Sequence, residues 1–444
     1  MQIENVVLRL SPERRPTWIE SIGAPFAAAL GPDRYPLRFS IVDATASNVT
    51  IEATVVRFER GPWTETLAEI EILSPRRKKP GNGRFCAVQI IPTGVRCEFG
   101  GYAGDATPAT NLLAAATDYL VTHPNAVNAS ELNEKADNVL YVEGKALDDF
   151  LLGHIGLAPV AANRIGTFVD PTGAQLLDYV INALNAAAAT AGIACEPYTM
   201  LHEEIGVKIE WSETGCAVGS VVHPEVILDG VRSLLDHGVD AIGGVSVIHG
   251  VTKEMFDKHM AGLIPNPSGG VEAIITHLIT KLFRVPAAHA PLPYYTSLKG
   301  THTENPRAAA EFISTPHYFC VLKGLSRAPR LEAIESLDTA PSRLVTVNDV
   351  AAVVLPSSCL GGIPALAAEF SGIPVIAVRE NSTVLAVDNR VMRMANVIEV
   401  ESYLEAAGVL LALRQGISLA SLRRPMHGCY EIARQAHSVP VTAS

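Results

Sequence analysis

Three paired glycines stand where a strand would turn into a helix: Gly100-Gly101, Gly269-Gly270 and Gly361-Gly362. Such a pair lets the main chain approach a ligand closely, while the free N–H groups and the positive end of the helix dipole favour an anion. A small carboxylated or phosphorylated metabolite is the expected guest. Ser358 and Cys359 lie just ahead of the third pair and behind the apolar run Ala351-Leu355. That places Cys359 at a strand's carboxyl end, where its thiol pKa is expected to fall. Asn381 follows the strand Val375-Val378 and would border the same face. Near the first pair, Gly104 and Asp105 add a third glycine and a carboxylate. Ser268 and Glu272 flank the second pair, and His289, after the next strand, is a general acid or base suited to neutral pH.

Two further stretches place polar groups where a buried strand would end. His123, Asn125 and Asn128 cluster in His123-Pro124-Asn125-Ala126-Val127-Asn128, and Glu143 interrupts the strand-like run Asn138-Val142. Cys359, His289, Glu143 and Asp105 are therefore the catalytic candidates. Each has a plainer reading: a packed thiol, a histidine bonded to backbone, a surface carboxylate at a turn, a helix cap. Cys216, in another Gly-flanked loop, is a possible second thiol for Cys359. Glu272 and His277 are five residues apart, off one helical face, and neither HxxxH nor HExxH occurs, so no metal is predicted. No GxxxxGK[ST] is present, no GxGxxG lies between a strand and a helix, and GxSxG is absent, so no nucleotide or other cofactor is predicted.

A formal net charge of -11 repels polyanions, and the Arg76-Arg77-Lys78-Lys79 cluster reads as a solvated loop, so no nucleic-acid partner is expected. The seven cysteines show no CxxC spacing, which fits free thiols in a reducing compartment. With no apparent secretory signal and no apolar run of spanning length, the expected location is cytoplasmic, with no membrane partner.

These groups need a frame. The expected class is α/β, an open, mostly parallel sheet built from βαβ units in two lobes, preceded by a β-rich N-terminal lobe. The boundaries are residues 1–95 for the β-rich lobe, 96–300 for an α/β domain with the Gly-rich turns, and 301–444 for a second α/β lobe with a C-terminal helix. The spacing predicts a helix over 171–191 with Asp170 as N-cap and Gly192 past its end. A strand over 207–211, a helix over 224–237 and a strand over 239–248 read as one βαβ unit. Homo-oligomerisation through the Ala-rich helix of 173–191 is a general prior.

Six ordered stretches carry a family resemblance: Gly100-Gly101-Tyr102-Ala103-Gly104-Asp105-Ala106, Tyr141-Val142-Glu143-Gly144, Asn163-Arg164-Ile165-Gly166, Pro286-Ala287-Ala288-His289-Ala290-Pro291, Gly324-Leu325-Ser326-Arg327-Ala328-Pro329 and Ser402-Tyr403-Leu404-Glu405-Ala406-Ala407-Gly408. In these the chain resembles the domain-of-unknown-function 3326 family of cyanobacteria, other bacteria and plant chloroplasts. The family brings no established reaction. The resemblance adds Arg164 and Arg327 as carboxylate or phosphate clamps, and implies that the position of Cys216 need not be a thiol. Separately, Val350-Val378 resembles the strand-Cys-helix-strand element of cofactor-independent racemases. The same region resembles the phosphate-binding part of two-lobed glycosyltransferases and nucleotide-sugar epimerases. The leading expectation is thus an isomerase/racemase or lyase working by acid–base chemistry. A nucleotide-sugar enzyme and a non-catalytic metabolite sensor or scaffold are the alternatives.

Overall fold

In the computed structural model, residues 1–13, 15–45, 47–58, 72–128, 135–292, 317–426, 428–429 and 431 are described. Apolar strands bounded by turns assemble into two parallel sheets. The first has six strands in the order Val397–Val400, Val375–Val378, Val350–Pro356, Cys86–Gln89, Tyr119–Thr122, Val139–Tyr141. All its pairings are parallel. Chain order runs outward from the middle in both directions, so the strand order reverses between Cys86–Gln89 and Val350–Pro356. Such a reversal leaves a crevice beyond the carboxyl ends of the two central strands. The second parallel sheet is Ala287–Pro291, Ala241–Ser246, Ile165–Val169, Tyr198–Met200.

The inner strands of both sheets, such as Ile165–Val169, Ala241–Ser246, Val350–Pro356 and Val375–Val378, read as near-continuous apolar runs because they are buried on both faces. Three antiparallel sheets complete the α/β fold. Gln2–Leu10, Val49–Arg57 and Arg34–Ala44 make the β-rich N-terminal sheet, with Val49–Arg57 central. A helix over Trp18–Leu30, unanticipated in the β-rich reading, buries Ile19, Ile22 and Phe26, and the Phe26 ring meets Phe39 edge-on at 5.0 Å. The six-stranded sheet draws strands from residue 86 to residue 400, on both sides of the boundary expected at 300.

The helix expected over 171–191 forms, with its first turn as 3-10 helix over Pro171–Leu176 and the α-helix over Leu177–Ala191. Asp170 accepts from the Thr172 N–H at 2.9 Å, and Gly192 ends the helix in the left-handed region. The βαβ unit expected from residue 207 does not form. Val207–Trp211 pairs antiparallel with Ala217–Val221 in a hairpin. The cause is the polar turn Ser212-Glu213-Thr214-Gly215, where Gly215 takes φ 82 and the Ser212 N–H donates to the Cys216 carbonyl at 2.9 Å.

The third glycine pair serves the packing of this frame. The Ile41 N–H donates to the Gly361 carbonyl at 2.9 Å, and Ser40 bridges to Gly362, so the strand Arg34–Ala44 rests on the turn. A Cβ at Gly361 would drive into the Ile41 carbonyl. Gly361→Ala is therefore expected to cost about 1–3 kcal/mol or more in chemical denaturation, the range of an overpacking change. A variant as stable as the parent would show that the contact is not rigid.

Candidate active site

The carboxyl ends of three strands of the six-stranded sheet and the edge strand Ala287–Pro291 of the other line a common cavity of about 190 Å3. Each wall comes from a separate element. His123 follows the strand Tyr119–Thr122, Glu143 follows Val139–Tyr141, and His289 lies within Ala287–Pro291. The helix Gly269–Phe283 packs against Ala287–Pro291, Ala217–Val221 and the helix Gly144–Leu151, and contributes Glu272, Thr276 and His277.

Glu143 organises one side. It is the N-cap of the helix Gly144–Leu151, and its Oε2 accepts from the Lys145 N–H at 2.7 Å and the Ala146 N–H at 3.3 Å. Its Oε1 accepts from the Thr276 hydroxyl at 3.0 Å and makes a short contact with Nδ1 of His277. Burial would push this carboxyl up, but the His277 charge and hydrogen bond, the Lys145 amide and the Thr276 hydroxyl outweigh it and hold the pKa below the ordinary carboxylate value. With Nδ1 engaged, Nε2 of His277 has no partner among the described residues. Gly144 makes room for this ring: a Cβ there would lie 2.9 Å from Cε1 of His277.

His123 is deeply buried, and burial first, with His277 adding to it, drives its pKa down to about 4 despite Glu143. Its Nε2 accepts from the Ile91 N–H at 2.9 Å. The ring is therefore neutral with its proton on Nδ1. His289 bonds through Nε2 to the Ser246 hydroxyl at 2.9 Å, and its fully buried Nδ1 lies 3.6 Å from Glu272 Oε2 with no hydrogen-bond partner among the described residues. Arg96, half-buried and in the left-handed region at φ 55, brings a guanidinium to the cavity, where one nitrogen donates to the Gly262 carbonyl at 2.7 Å.

Of the residues singled out in the sequence, Gly100, Gly101, His123, Asn125 and Asn128 line this cavity, as do Glu143, Gly269, Glu272 and His289. Asn125 donates to the carbonyls of Ile91 and Gly100, and Asn128 accepts from the Tyr141 hydroxyl, so both also brace the wall. Asp105 is not a catalytic group here: its carboxylate accepts from the amides of Gly100 at 2.6 Å and Tyr102 at 3.4 Å, which occupies the amides expected to hold an anion. Gly100, at φ 82, and Gly104, at φ 73, shape that turn. Ser268 bonds to Asn266, and Gly270 gives passage to the Ala217 carbonyl.

Arg164 and Arg327 are corrected as clamps. They lie on the surface, Arg164 on the His237 carbonyl at 2.7 Å and Arg327 3.3 Å from Asp137. Asn381 is fully buried and spends its amide on Phe99 and the Tyr403 hydroxyl. Ser358 bonds to Thr383 at 2.9 Å. Cys359 lines a second, adjoining cavity with Gly362, and burial pushes its thiol up to about 11 rather than down. Desolvation outweighs the hydrogen bonds with Thr383 and Ser358 that would lower it. Cys216 is buried near enough to add to that rise, so the Cys359 thiol is not poised as a base. Among the described residues no group of three or more His, Cys, Asp or Glu could hold a metal ion. Sequence reasoning passed over His277, weighed only as a metal ligand, and Arg96, which carried no motif.

The frame and cavity define an α/β protein with an ionisable pocket at the carboxyl ends of its strands. The chain belongs to the family described as "Protein of unknown function (DUF3326)", which it matches over residues 86–423. It is also 35% identical over 344 residues to an uncharacterized lipoprotein of a Synechococcus strain, covering 76% of this chain and 92% of the relative. No solved structure matches it. The relative is named a lipoprotein, a membrane-anchored class, and this overturns the expectation of a cytoplasmic location. Among the described residues no helix is long and apolar enough to cross a membrane.

Two predictions follow from these environments. The unfolded chain protonates His123 near 6.5, the folded protein only near 4, so its contribution is complete above pH 6.5 and is lost as the pH falls towards 4. Denaturant melts from pH 7 to 4 should show the parent losing roughly 3 kcal/mol more than His123→Gln; equal slopes would contradict the neutral buried ring. Iodoacetamide at pH 7.5 should alkylate exposed Cys429 rapidly and Cys359 only on unfolding, as read by peptide mass; fast labelling of Cys359 would restore it as a nucleophile.

Proposed function

We propose that the protein is an enzyme acting on a small carboxylated or phosphorylated metabolite by acid–base chemistry carried on its own side chains, as an isomerase/racemase or lyase. The observation that supports this most is the Glu143-bound imidazole of His277 on the same cavity as the Arg96 guanidinium. Arg96 holds the substrate's anionic end, and His277, acting in its neutral form with Nδ1–H on Glu143, takes a proton from the adjacent carbon through Nε2. Glu143, already ionised, steadies the imidazolium that forms.

His123 keeps its neutral Nδ1–H for the oxygen on which negative charge develops, a role that a charged imidazolium would fill less durably because it could lose its proton. His289, beside Glu272 and fixed by Ser246, delivers or accepts the second proton from the other sheet. Removal of a substituent beta to the new carbanion gives a lyase; return of a proton gives an isomerase or racemase.

Hydrogen exchange in D2O tests this. A panel of amino and hydroxy acids and their phosphorylated analogues should include a member that takes up deuterium at its α-carbon, with His277→Gln slowing uptake by about 10²-fold or more. Exchange with no member of the panel would count heavily against the reading. Binding without exchange, unchanged by His277→Gln, is the behaviour of a metabolite sensor.

A further inference from the structure

The second cavity, of about 170 Å3, adjoins the first and shares His123, Gly144 and His277 with it. It lies beyond the carboxyl ends of Cys86–Gln89 and Val350–Pro356, where the order of the six-stranded sheet reverses. Its walls are mostly aliphatic or aromatic, including Leu37, Phe39, Val95, Leu147, Leu355 and Leu385.

Charged groups do reach it, but each is answered from within the protein. Arg38 lies 3.8 Å from Glu52, and Asp148 lies 3.4 Å from Lys145. The chamber therefore offers a ligand apolar surface and no uncompensated charge. Leu37 and Phe39 belong to the N-terminal sheet, which lies outside the 86–423 span of the family match.

We infer that this chamber is the subsite for a compact apolar group on the substrate, an aryl ring or branched alkyl chain, and that the N-terminal sheet sets the size of group accepted. This rests on the acid–base reading of the first cavity, whose shared wall carries the proton-moving His277. A void of about 150 Å3 lined by aliphatic side chains is enough to bind benzene, so a single ring fits the space. The substrate class is then a small acid with its anionic end towards Arg96, its reacting carbon at His277 and its apolar substituent in the second chamber.

Calorimetric titration with phenylacetate and acetate tests the assignment. Phenylacetate should bind the parent about tenfold to a hundredfold tighter than acetate, the return from burying one ring. Leu385→Trp should remove that difference, and Phe39→Ala should shift preference from phenylacetate towards 2-naphthylacetate. Equal binding of phenylacetate and acetate by the parent, or a preference untouched by both variants, would overturn the inference. Arg96→Met separates the two readings. Loss of both ligands supports the anion site, whereas a retained ring preference with undiminished affinity leaves the chamber standing and removes Arg96 from the acid–base account.

Discussion

Taking an ionised carboxylate out of water is costly unless donors replace the lost solvation, and the Glu143 side chain is 2% exposed. Two main-chain amides, a threonine hydroxyl and an imidazole supply those donors. The amides belong to the helix Gly144–Leu151, and the other two donors to Gly269–Phe283. The carboxylate is thus the point at which the helix after the six-stranded sheet's edge strand is tied to the helix packed on the other parallel sheet. A second ionic contact fixes the same pair of helices, since Asp149 bonds to Lys281 at 2.7 Å and lies 4.0 Å from Lys145. With that geometry held, the His277 ring has one orientation and a defined tautomer.

Close main-chain approach provides the room around this constraint. Glycines let the chain pass where a side chain would collide: Gly144 against His277, Gly100 against Ile91, Gly361 against Ile41. At the first turn Asp105 takes the amides of Gly100 and Tyr102, and the positive charge in the first cavity comes from Arg96. Its left-handed backbone costs some strain, which the surrounding structure must support.

Legibility in the sequence followed the physics of each feature. Parallel strands buried on both faces announced themselves as apolar runs, and the Pro-led, Gly-stopped helices carried signals in their own residues. The polar groups His123, Glu143 and His289 were visible because they interrupt such runs. The hairpin at 207–221 was misread because a helix and strand of plausible length followed it, although the turn residues Glu213-Thr214-Gly215 were in view. Cys359 and Asp105 were misjudged because spacing gives position and not surroundings: burial decides the thiol's proton affinity, and a local amide decides what the carboxylate binds. His277 and Arg96 gain meaning only from partners 134 and 166 residues away in the chain, Glu143 and Gly262, which no local pattern encodes.

A crystal structure of the protein soaked with malonate, a small dicarboxylate, is the most direct measurement of the central claim. The account requires a carboxylate held by the Arg96 guanidinium with its methylene carbon next to Nε2 of His277, while Glu143 stays on Nδ1. An anion seated instead on the amides of Gly361 and Gly362, or a cavity in which Glu143 and His277 have parted, would contradict it.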